Sequence, residues 1–396
     1  MDERCYSAPH LGARMKLDRG DHRDVRRRTL AVLGLVALAL VAAACAPNAT
    51  QDSLQPAGPY ARKAYDLYVP VFWVATAIFV VVEGLLVYFA WKYRHRKGRE
   101  GIPPQVHGNT RLEIAWTILP AIILAGVAVP TVTTIFDLAR EPEGDVLNVD
   151  VLGHQWWWEF DYPEEGINTA NELHIPTDRP VYLRLCAVGV GYQGQVAPSE
   201  CQPGPPEGSF PATLGDSVIH SFWVPELAGT QDVIPGRTNF MVIQADEPGT
   251  YTGQCKEFCG LSHAYMKFTV VAHTPEDFEA WVAAQRAPAA MPSVGTPAAA
   301  GAEVFAGQCI ACHAIDGLQG PDGQPIPIQQ QSNNGPNLTH FASRGCFAGC
   351  MLETNDENLR RWLEDPPSVK AGSWMPSYNL TPEQIDQLIA YLNSLR

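Results

Sequence analysis

Long apolar segments mark the first third of the chain and predict membrane helices. An apolar run at 30–44 follows three arginines, which is the pattern of a secretory signal. Two further apolar segments, at about 67–91 and 114–136, are each long enough to span a hydrocarbon core. The lysines and arginines between these two segments place their connecting loop in the cytoplasm. Everything after residue 136 is therefore expected on the outer side of the membrane.

From about residue 146 to 273 the pattern becomes that of a β domain. Short runs rich in β-branched residues are separated by turn signals such as Ile-Pro-Gly-Arg. Many short strands at this spacing predict a sandwich or a barrel. The predicted strands are 146–152, 181–185, 218–223, 238–244 and 266–271. A Gly/Pro-rich insertion at 187–215 interrupts this pattern, and its sequence predicts no function.

The last part of the chain predicts helices again, but shorter ones. Thr274 caps an exposed helix that continues to about residue 286, and an Ala/Pro-rich linker follows. The final hundred residues are typical of a small helical domain. Its last helix begins with the capping box Thr381-Pro-Glu-Gln384 and continues with apolar residues at helical spacing.

These patterns predict a multidomain protein with a two-helix transmembrane hairpin, an all-β sandwich and an all-α domain. The predicted parts are a signal or targeting segment at 1–45, the hairpin at 60–137, the β domain at 138–273, a helix and linker at 274–300, and the helical domain at 301–396. The Val-Ala-Ala-Ala sequence before Cys45 loosely resembles a bacterial lipoprotein cleavage site. Lipidation of Cys45 and simple signal cleavage both stay open.

Charge is distributed unevenly along the chain. Residues 1–111 hold 16 lysines and arginines against 9 aspartates and glutamates, whereas residues 112–396 hold 12 against 33. The acidic balance of the larger part argues against nucleic acid as a partner. It suits a basic protein partner, and a solvated acidic surface without a partner explains it equally well.

The ten cysteines fall mostly in pairs. The pairs are 186/201, 255/259, 309/312 and 346/350, while Cys5 and Cys45 stand apart. Pairs of this kind indicate metal, heme or disulfides, and the local context decides among them. Since the predicted topology exposes the later cysteines to an oxidising compartment, we expect disulfides at Cys186–Cys201 and Cys346–Cys350. The second disulfide would staple a surface loop, and free thiols or an extra metal site are its alternatives.

The stretch from Cys255 to Met266 concentrates metal-binding side chains. It holds two thiols, an imidazole and a thioether in Cys255, Cys259, His263 and Met266, a set that suits copper or zinc. The second thiol allows a pair of copper ions bridged by sulfur. This hypothesis needs one more histidine, and His220 in the same β domain supplies it. A Cys255–Cys259 disulfide and a zinc site are the competing interpretations, although zinc has little use for the methionine.

A second chemical motif lies in the helical domain. Cys309-Ile-Ala-Cys312-His313 is the pattern for covalent attachment of a c-type heme, with His313 as the proximal iron ligand. A C-x-x-C pair alone is also compatible with a redox-active or zinc-binding site, but the adjacent histidine and the exported location favour heme. The sixth iron ligand is expected to be a methionine. We prefer Met375 to Met351.

Several stretches together resemble subunit II of cytochrome c oxidase over residues 60–273. They are Leu-Glu113-Ile-Ala-Trp-Thr-Ile-Leu-Pro, Gly-His154-Gln-Trp156-Trp-Trp-Glu, His220-Ser-Phe-Trp-Val-Pro and the Cys255–Met266 loop. The last hundred residues resemble a class I cytochrome c. A fused cytochrome domain of this kind is a known bacterial variant of the family.

The resemblance implies a cupredoxin fold for the β domain and a binuclear copper centre, called CuA, within it. The residues that match its ligands are His220, Cys255, Glu257 through its backbone carbonyl, Cys259, His263 and Met266. The resemblance further implies that the Glu257 carboxylate reaches a magnesium site shared with subunit I. Glu113 corresponds to the acid at the mouth of a proton pathway. Trp156 corresponds to the aromatic residue that receives electrons from cytochrome c, although three consecutive tryptophans are also compatible with simple packing on the sandwich.

The expected function is therefore that of an electron-accepting subunit in a bacterial cell membrane, with its copper and heme domains outside. Electrons are expected to pass from a cytochrome c or a bc-complex to the heme, then to CuA and then to subunit I. Oxygen is reduced to water there, and protons are pumped. One alternative is the same module in a nitric oxide reductase, and another is a copper-delivery protein for oxidase assembly. A quinol oxidase subunit typically lacks the copper ligands, which are all present here.

Overall fold

The computed structural model describes most of the chain. The described residues are 21–43, 49–94, 101, 105, 108–188, 217–320, 324–328, 331 and 334–396. Cys45, Cys201 and residues 189–216 of the insertion lie outside this part, and so do the predictions made for them. The chain divides into two compact units at residues 49 and 50. In the first unit, helix α1 spans Asp21–Ala43.

Two long helices form the predicted hairpin. Helix α2 spans Pro59–Lys92 and helix α3 spans Thr110–Leu138, and both are long and apolar enough to cross a membrane. Most of their apolar side chains are exposed, which an apolar environment or other subunits must cover.

Helix α2 begins earlier than the apolar segment because its first turn is docked on the β domain. The Ala61 amide donates to the Leu227 carbonyl at 3.1 Å, and Arg62 pairs with Asp246 at 2.7 Å. Gly58, just before the helix, approaches the β domain so closely that a Cβ there would lie 1.9 Å from the Gln244 carbonyl oxygen. Only glycine fits this approach.

The β domain is a sandwich of two five-stranded sheets, ordered β3-β2-β1-β5-β8 and β4-β10-β9-β6-β7. The strands are β1 Leu147–His154, β2 Trp157–Tyr162, β3 Ile167–Ala170, β4 Glu172–Pro176, β5 Val181–Ala187, β6 His220–Trp223, β7 Thr230–Val233, β8 Asn239–Ile243, β9 Gly249–Cys255 and β10 Lys267–His273. Strands β1 and β5 are parallel, as are β4 and β10, and the other pairs are antiparallel. The five strands predicted from the sequence are confirmed, and the other five were missed.

An aromatic core lies between the two sheets. Trp158 meets Phe222 and Phe268 edge-on at centroid distances of 5.4 and 5.5 Å, and all three side chains are fully buried. Large buried rings of this kind contribute strongly to core stability. Trp157, the next residue along the alternating strand, faces the other way and stacks on His154 at 3.9 Å. This rigid core carries the ends of β6 and β9, where the candidate metal ligands lie.

Among the described residues after β10, the regular elements are helices and one hairpin of two very short strands. The elements are α4 Pro275–Gln285, α5 Pro297–Gln308, β11 Cys346–Phe347, β12 Leu352–Glu353, α6 Asp356–Glu364, α7 Pro366–Val369 and α8 Pro382–Leu392. Helix α5 begins inside the predicted linker because Thr296 caps it by accepting from the Ala299 amide at 3.2 Å. Helices α5 and α8 cross closely, since a Cβ on Gly301 would lie 2.0 Å from the Gln387 carbonyl oxygen. The predicted capping box at Thr381 is confirmed.

Each of the two predicted disulfides includes at least one described cysteine. Cys346 and Cys350 are bonded to each other, which confirms that prediction. Their loop is not a free surface loop, however, because Cys350 Sγ lies 3.3 Å from the Asn171 carbonyl oxygen of the β domain. Cys186 is also disulfide-bonded, and its predicted partner lies outside the described residues.

Candidate metal and heme sites

Backbone pairing brings the predicted metal ligands together at one end of the sandwich. Strands β6 and β9 are antiparallel neighbours, with Phe222 opposite Cys255, so His220 lies beside the end of β9. The loop after β9 returns to β10 through a bond from the Cys255 amide to the Met266 carbonyl at 2.9 Å. This closes the loop that carries Cys259 and His263. Most of the ligand residues are close together in the sequence, but the pairing of β6 with β9 is needed to bring His220 to them.

The distances among the donor atoms are short and similar. The two cysteine sulfurs lie 3.8 Å apart, far longer than the 2.05 Å or so of a disulfide bond. Since a metal–thiolate bond is about 2.3 Å long, one metal ion can contact both sulfurs. The remaining distances are 3.8 Å from Cys255 Sγ to His220 Nδ1, 3.7 Å from Cys259 Sγ to His263 Nδ1, 3.8 Å from Cys259 Sγ to Met266 Sδ and 3.2 Å from Cys255 Sγ to the Glu257 carbonyl oxygen. The disulfide interpretation is therefore wrong.

Burial and charge at this site favour a bound metal. His220, Cys255 and Cys259 are buried and form a metal-ligand cluster. Hydrogen bonds from the Cys259 thiol and from His220 lower the pKa of Cys255 to about 4, which favours the thiolate that metals bind. Met266 is fully buried beside Cys259. A buried thioether in the donor set suits copper better than zinc.

The heme-attachment motif begins where helix α5 ends. The Cys312 and His313 amides donate to the Cys309 carbonyl at 3.0 and 2.9 Å, so the motif forms a tight turn. His313 Nδ1 lies 2.8 Å from the Pro336 carbonyl oxygen, which leaves Nε2 available to a metal. Burial lowers the pKa of His313 and so favours the neutral imidazole that binds iron.

A cavity of about 340 Å³ adjoins this motif. Cys309, Cys312, His313 and Met375 all line it, whereas Met351 is not among its described lining residues. A Cβ on Gly335 would lie 2.7 Å from the His313 ring, so the glycine keeps space beside the imidazole. The donor set, the tautomer and the mostly apolar lining fit a covalently bound heme.

Trp156 lies between this cavity and the metal-ligand loop. Its side chain is only 7% exposed, so it is not accessible at the surface of the described chain. The ring packs on the core of the β domain, and a Cβ on Gly372 of the helical domain would lie 2.6 Å from it. The indole Nε1 donates to the Cys259 carbonyl at 2.9 Å, and Trp156 also lines the heme cavity. One side chain therefore contacts both sites.

Comparisons with known proteins agree with the division of the chain into a membrane hairpin, a β domain and a helical domain. A family model described as the transmembrane domain of cytochrome c oxidase subunit II matches residues 47–134, and its periplasmic domain matches 210–273. A cytochrome c model matches 298–396. Cytochrome c oxidase subunit 2 of Alkalihalophilus pseudofirmus is 37% identical to this chain over 92% of the chain and 96% of the relative. The chain belongs to the cytochrome c oxidase subunit 2 family.

Two further similarities help to define the family. Quinol oxidase subunit 2 of Bacillus spizizenii is 34% identical over 64% of this chain and 72% of its own length. The periplasmic domain of subunit II from Bradyrhizobium japonicum has a solved structure that is 24% identical, covers 37% of this chain and 96% of its own, and superposes with a TM-score of 0.28. Family membership and the matched domain models make this oxidase subunit a membrane protein with a periplasmic domain and a role in electron transfer. Its domains imply copper and heme as cofactors.

Two acids with predicted roles, Glu113 and Glu257, have exposed side chains. Glu113 is exposed in the first turn of α3, where its Oε1 accepts from the Asn109 amide at 3.0 Å. A helix N-terminus favours such a negative charge. The Glu257 side chain is also exposed. The proton-pathway role of Glu113 and the magnesium site at Glu257 stay predictions.

Three residues at the joint between the domains were missed by sequence reasoning. Gln155 Nε2 donates to the Cys259 carbonyl at 2.7 Å, Gly372 packs on Trp156, and Lys370 Nζ donates to the Trp156 carbonyl at 2.6 Å. One signal was available, because Lys370 is the only lysine in residues 301–396. The other two residues carry no signal without the docked arrangement.

Proposed function

We propose that this subunit accepts electrons through a heme c attached to Cys309 and Cys312 and passes them through a CuA centre to subunit I. In subunit I, oxygen is reduced to water and protons are pumped. The observation that carries this proposal is the position of Trp156, whose ring lines the heme cavity and whose Nε1 donates to the carbonyl of Cys259. Trp156 therefore contacts both of the proposed redox sites.

The heme site is proposed to use four residues of the cytochrome domain. Cys309 and Cys312 would form the thioether links, and His313 and Met375 would bind the iron. The bond from His313 Nδ1 to the Pro336 carbonyl fixes the ring. A methionine as the sixth ligand raises the reduction potential of the iron, which suits acceptance of electrons from a c-type donor.

The CuA site is proposed to be held by His220, Cys255, the Glu257 carbonyl, Cys259, His263 and Met266. Two copper ions that share thiolates delocalise one electron, so their geometry changes little on reduction. The chain supports this with rigid elements, since β6, β9 and β10 belong to one sheet. Ligands held by a packed sheet keep their positions in either redox state.

The position of Trp156 also indicates how the subunit is supplied with electrons. The cytochrome domain covers this tryptophan, which the family resemblance makes the residue that receives electrons from a soluble cytochrome c. We infer that a soluble cytochrome or a bc-complex delivers electrons to the heme instead, and that Trp156 receives them from within the chain. The acidic balance of residues 112–396 suits a basic donor.

Partners in the membrane are inferred from the hairpin. Glu83 is exposed within α2 among apolar side chains, and such a carboxylate in a membrane span usually faces protein or water. We propose that this face contacts subunit I of a bacterial cell-membrane oxidase, with the copper and heme domains on the outer side. Glu113 would then mark the proton-pathway mouth, and the Glu257 carboxylate would reach a magnesium ion shared with subunit I.

The experiment that tests this function uses the purified complex of the subunit with its oxidase partners. Reduced cytochrome c is supplied under oxygen and then under nitric oxide, and consumption of each gas is recorded. We expect oxygen consumption that depends on the reduced donor. Nitric oxide reduction without oxygen consumption would instead assign the subunit to a nitric oxide reductase.

The same preparation tests the copper-delivery alternative. A delivery protein must release its copper reversibly to an acceptor, whereas an electron-transfer site retains it through repeated turnover. We expect the copper content to stay constant after turnover and after dialysis against a weak chelator. Loss of copper to an apo-acceptor with the heme unused in the reaction would favour delivery.

A further inference from the structure

Lys370 is the least expected buried residue at the joint between the two domains. It follows helix α7 and is 4% exposed, although lysine is almost never fully buried without partners. Its Nζ donates to three backbone carbonyls, at 2.6 Å to Trp156, 2.8 Å to Ala348 and 3.3 Å to Tyr265. An ammonium group has three N–H donors, so this arrangement uses all of them.

The three carbonyls come from both electron-transfer domains. Trp156 and Tyr265 belong to the cupredoxin domain, where Tyr265 directly precedes the candidate ligand Met266. Ala348 lies in the disulfide loop of the cytochrome domain. One side chain therefore ties the cytochrome domain to the backbone of the tryptophan that separates the heme cavity from Cys259.

The backbone around this ammonium is closely fitted. A Cβ on Gly349 would lie 2.6 Å from Lys370 Nζ and 2.8 Å from the Trp156 carbonyl oxygen. The Lys267 amide donates to the Gly349 carbonyl at 2.9 Å, and Ser262 Oγ donates to the Ala371 carbonyl at 2.6 Å. These contacts surround Lys370 on both sides and hold it at one place.

A charge at this place is costly, because removing an ammonium from water is unfavourable unless it is well paired. Apolar residues of similar volume can stabilise a buried contact equally well. Simple attachment of two domains does not require a cation here. A fixed geometry does require a cation here, because three N–H donors directed at three carbonyls determine the position of the Trp156 backbone.

We propose that Lys370 is a positioning residue that fixes Trp156 between the heme and copper sites and thereby sets the rate of electron transfer between them. This inference rests on the proposed function. In the step concerned, one electron leaves the heme iron, which is oxidised, and reaches the copper pair, which is reduced, with no bond formed or broken. Lys370 itself neither gains nor loses an electron.

The test compares Lys370→Met with Arg361→Met in the intact, cofactor-loaded subunit. Methionine keeps most of the side-chain volume but removes the three donors. Arg361 is an exposed cation of the same domain, so its variant controls for loss of positive charge. Amide hydrogen exchange is measured at Trp156–Trp158 and at Ala371–Ser373. In Lys370→Met we expect exchange at both places to rise about tenfold, with wild-type exchange in Arg361→Met.

Internal electron transfer provides the second measurement. An electron is injected into the heme by a light-activated ruthenium complex, and its arrival at copper is followed optically. Lys370→Met should slow this transfer several-fold while leaving the separate heme and copper spectra unchanged. Transfer at the wild-type rate, or exchange equal to that of Arg361→Met, would overturn the proposal.

A cavity-forming variant keeps the test decisive if Lys370→Met does not fold. Lys370→Ala is prepared with propylammonium, a small cation that can occupy the vacated space. Protection of the Trp156 amide and the transfer rate should both rise with propylammonium concentration, and a neutral alcohol of equal size should have no effect. Failure of the cation to restore either property would contradict the role of Lys370. If the wild type itself lacks the copper or heme spectrum, the proposed function fails, whereas the exchange result still reports on the joint.

Discussion

At the scale of single residues, the two cysteines of the copper loop have opposite pKa shifts. The hydrogen bond between the two sulfurs lowers the pKa of Cys255 and raises that of Cys259, and burial and the charge on Cys255 raise the pKa of Cys259 further. Two buried sulfurs in contact cannot both ionise easily without a cation between them. The pair is therefore arranged for a positively charged bridge, which the proposed copper ions provide.

Replacing one proposed ligand in each domain should change the signal of one cofactor and leave the signal of the other intact. We expect Cys259→Ser to lose the EPR signal of the copper pair, because serine removes one bridging thiolate, while the heme absorption spectrum stays intact. Met375→Ala is the matched control in the other domain, and it should change the axial heme spectrum while preserving the copper signal. An unchanged heme spectrum in Met375→Ala would move the sixth ligand elsewhere, to Met351 first.

Asp161 gives the β domain a pH-dependent stability. Burial, with further contributions from Glu159 and Asp150, raises its pKa to about 7, while Asn168 and Arg184 act in the opposite direction. Between about pH 4 and pH 7 the folded chain therefore keeps a proton on Asp161, whereas the unfolded chain has released it. The resulting stabilisation is present in acid and is lost as the pH rises through 7.

We accordingly expect Asp161→Asn to flatten this dependence. Between pH 5.5 and 8 the wild type should lose about 2 kcal/mol more stability than the variant. Thermal unfolding of the detergent-solubilised chain, followed by tryptophan fluorescence, measures the difference. Parallel melting-temperature profiles for the two chains across this pH range would show that Asp161 titrates normally.

At the scale of elements, the sequence predicted those strands whose residues are apolar and β-branched, and missed those whose burial depends on a partner. Strand β9 reads Gly-Thr-Tyr-Thr-Gly-Gln-Cys, with two glycines, which weaken a strand, and no apolar β-branched residue. It is a central strand because Gly253 lets the Phe268 ring of β10 lie across it, where a Cβ would be 2.2 Å away. Tertiary contacts of this kind leave no periodic signal.

Sequence-based prediction meets the same limit in the candidate site, at the joint between the domains. Cysteine and histidine motifs have fixed local spacing, so the metal and heme residues could be found in the sequence. Most contacts at the joint use a backbone group on at least one side, such as the bond from the Gly345 amide to Glu172 Oε1 at 2.6 Å. Any residue has an amide, and the burial of Lys370 follows only from the docked arrangement. A surface loop was therefore expected where the structure has an interface.

The disulfide loop at residues 346–350 allows a test at this scale. Closing such a short loop restricts the unfolded chain by about 2 kcal/mol in the chain-entropy model. In Cys346→Ala/Cys350→Ala we expect faster amide exchange at Lys267, because its bond to the Gly349 carbonyl depends on the shape of the loop. The copper signal should be unaffected. Exchange at Lys267 equal to that of the wild type would mean that the loop keeps its docked shape without the disulfide.

At the scale of the whole molecule, the proposed function implies that the cytochrome domain changes which surface receives electrons. Trp156 is the residue through which the resemblance predicts supply from outside, yet Gly372 and Lys370 of the cytochrome domain contact it directly. A docked partner of this kind is held at high effective concentration because it belongs to the same chain. The proposed function therefore places supply from a soluble donor at the heme.

This arrangement predicts the behaviour of a subunit that cannot attach heme. In Cys309→Ala/Cys312→Ala, reduced soluble cytochrome c should reduce the copper pair at least tenfold more slowly than in the wild type, because the protein of the cytochrome domain still covers Trp156. Dithionite, a small reductant, should still reduce the copper pair completely and serves as the control. The copper EPR signal and the melting temperature establish that the site and the fold are retained. Rapid reduction by soluble cytochrome c in this variant would mean that the cytochrome domain leaves Trp156 accessible in solution, and that the two domains are docked for only part of the time.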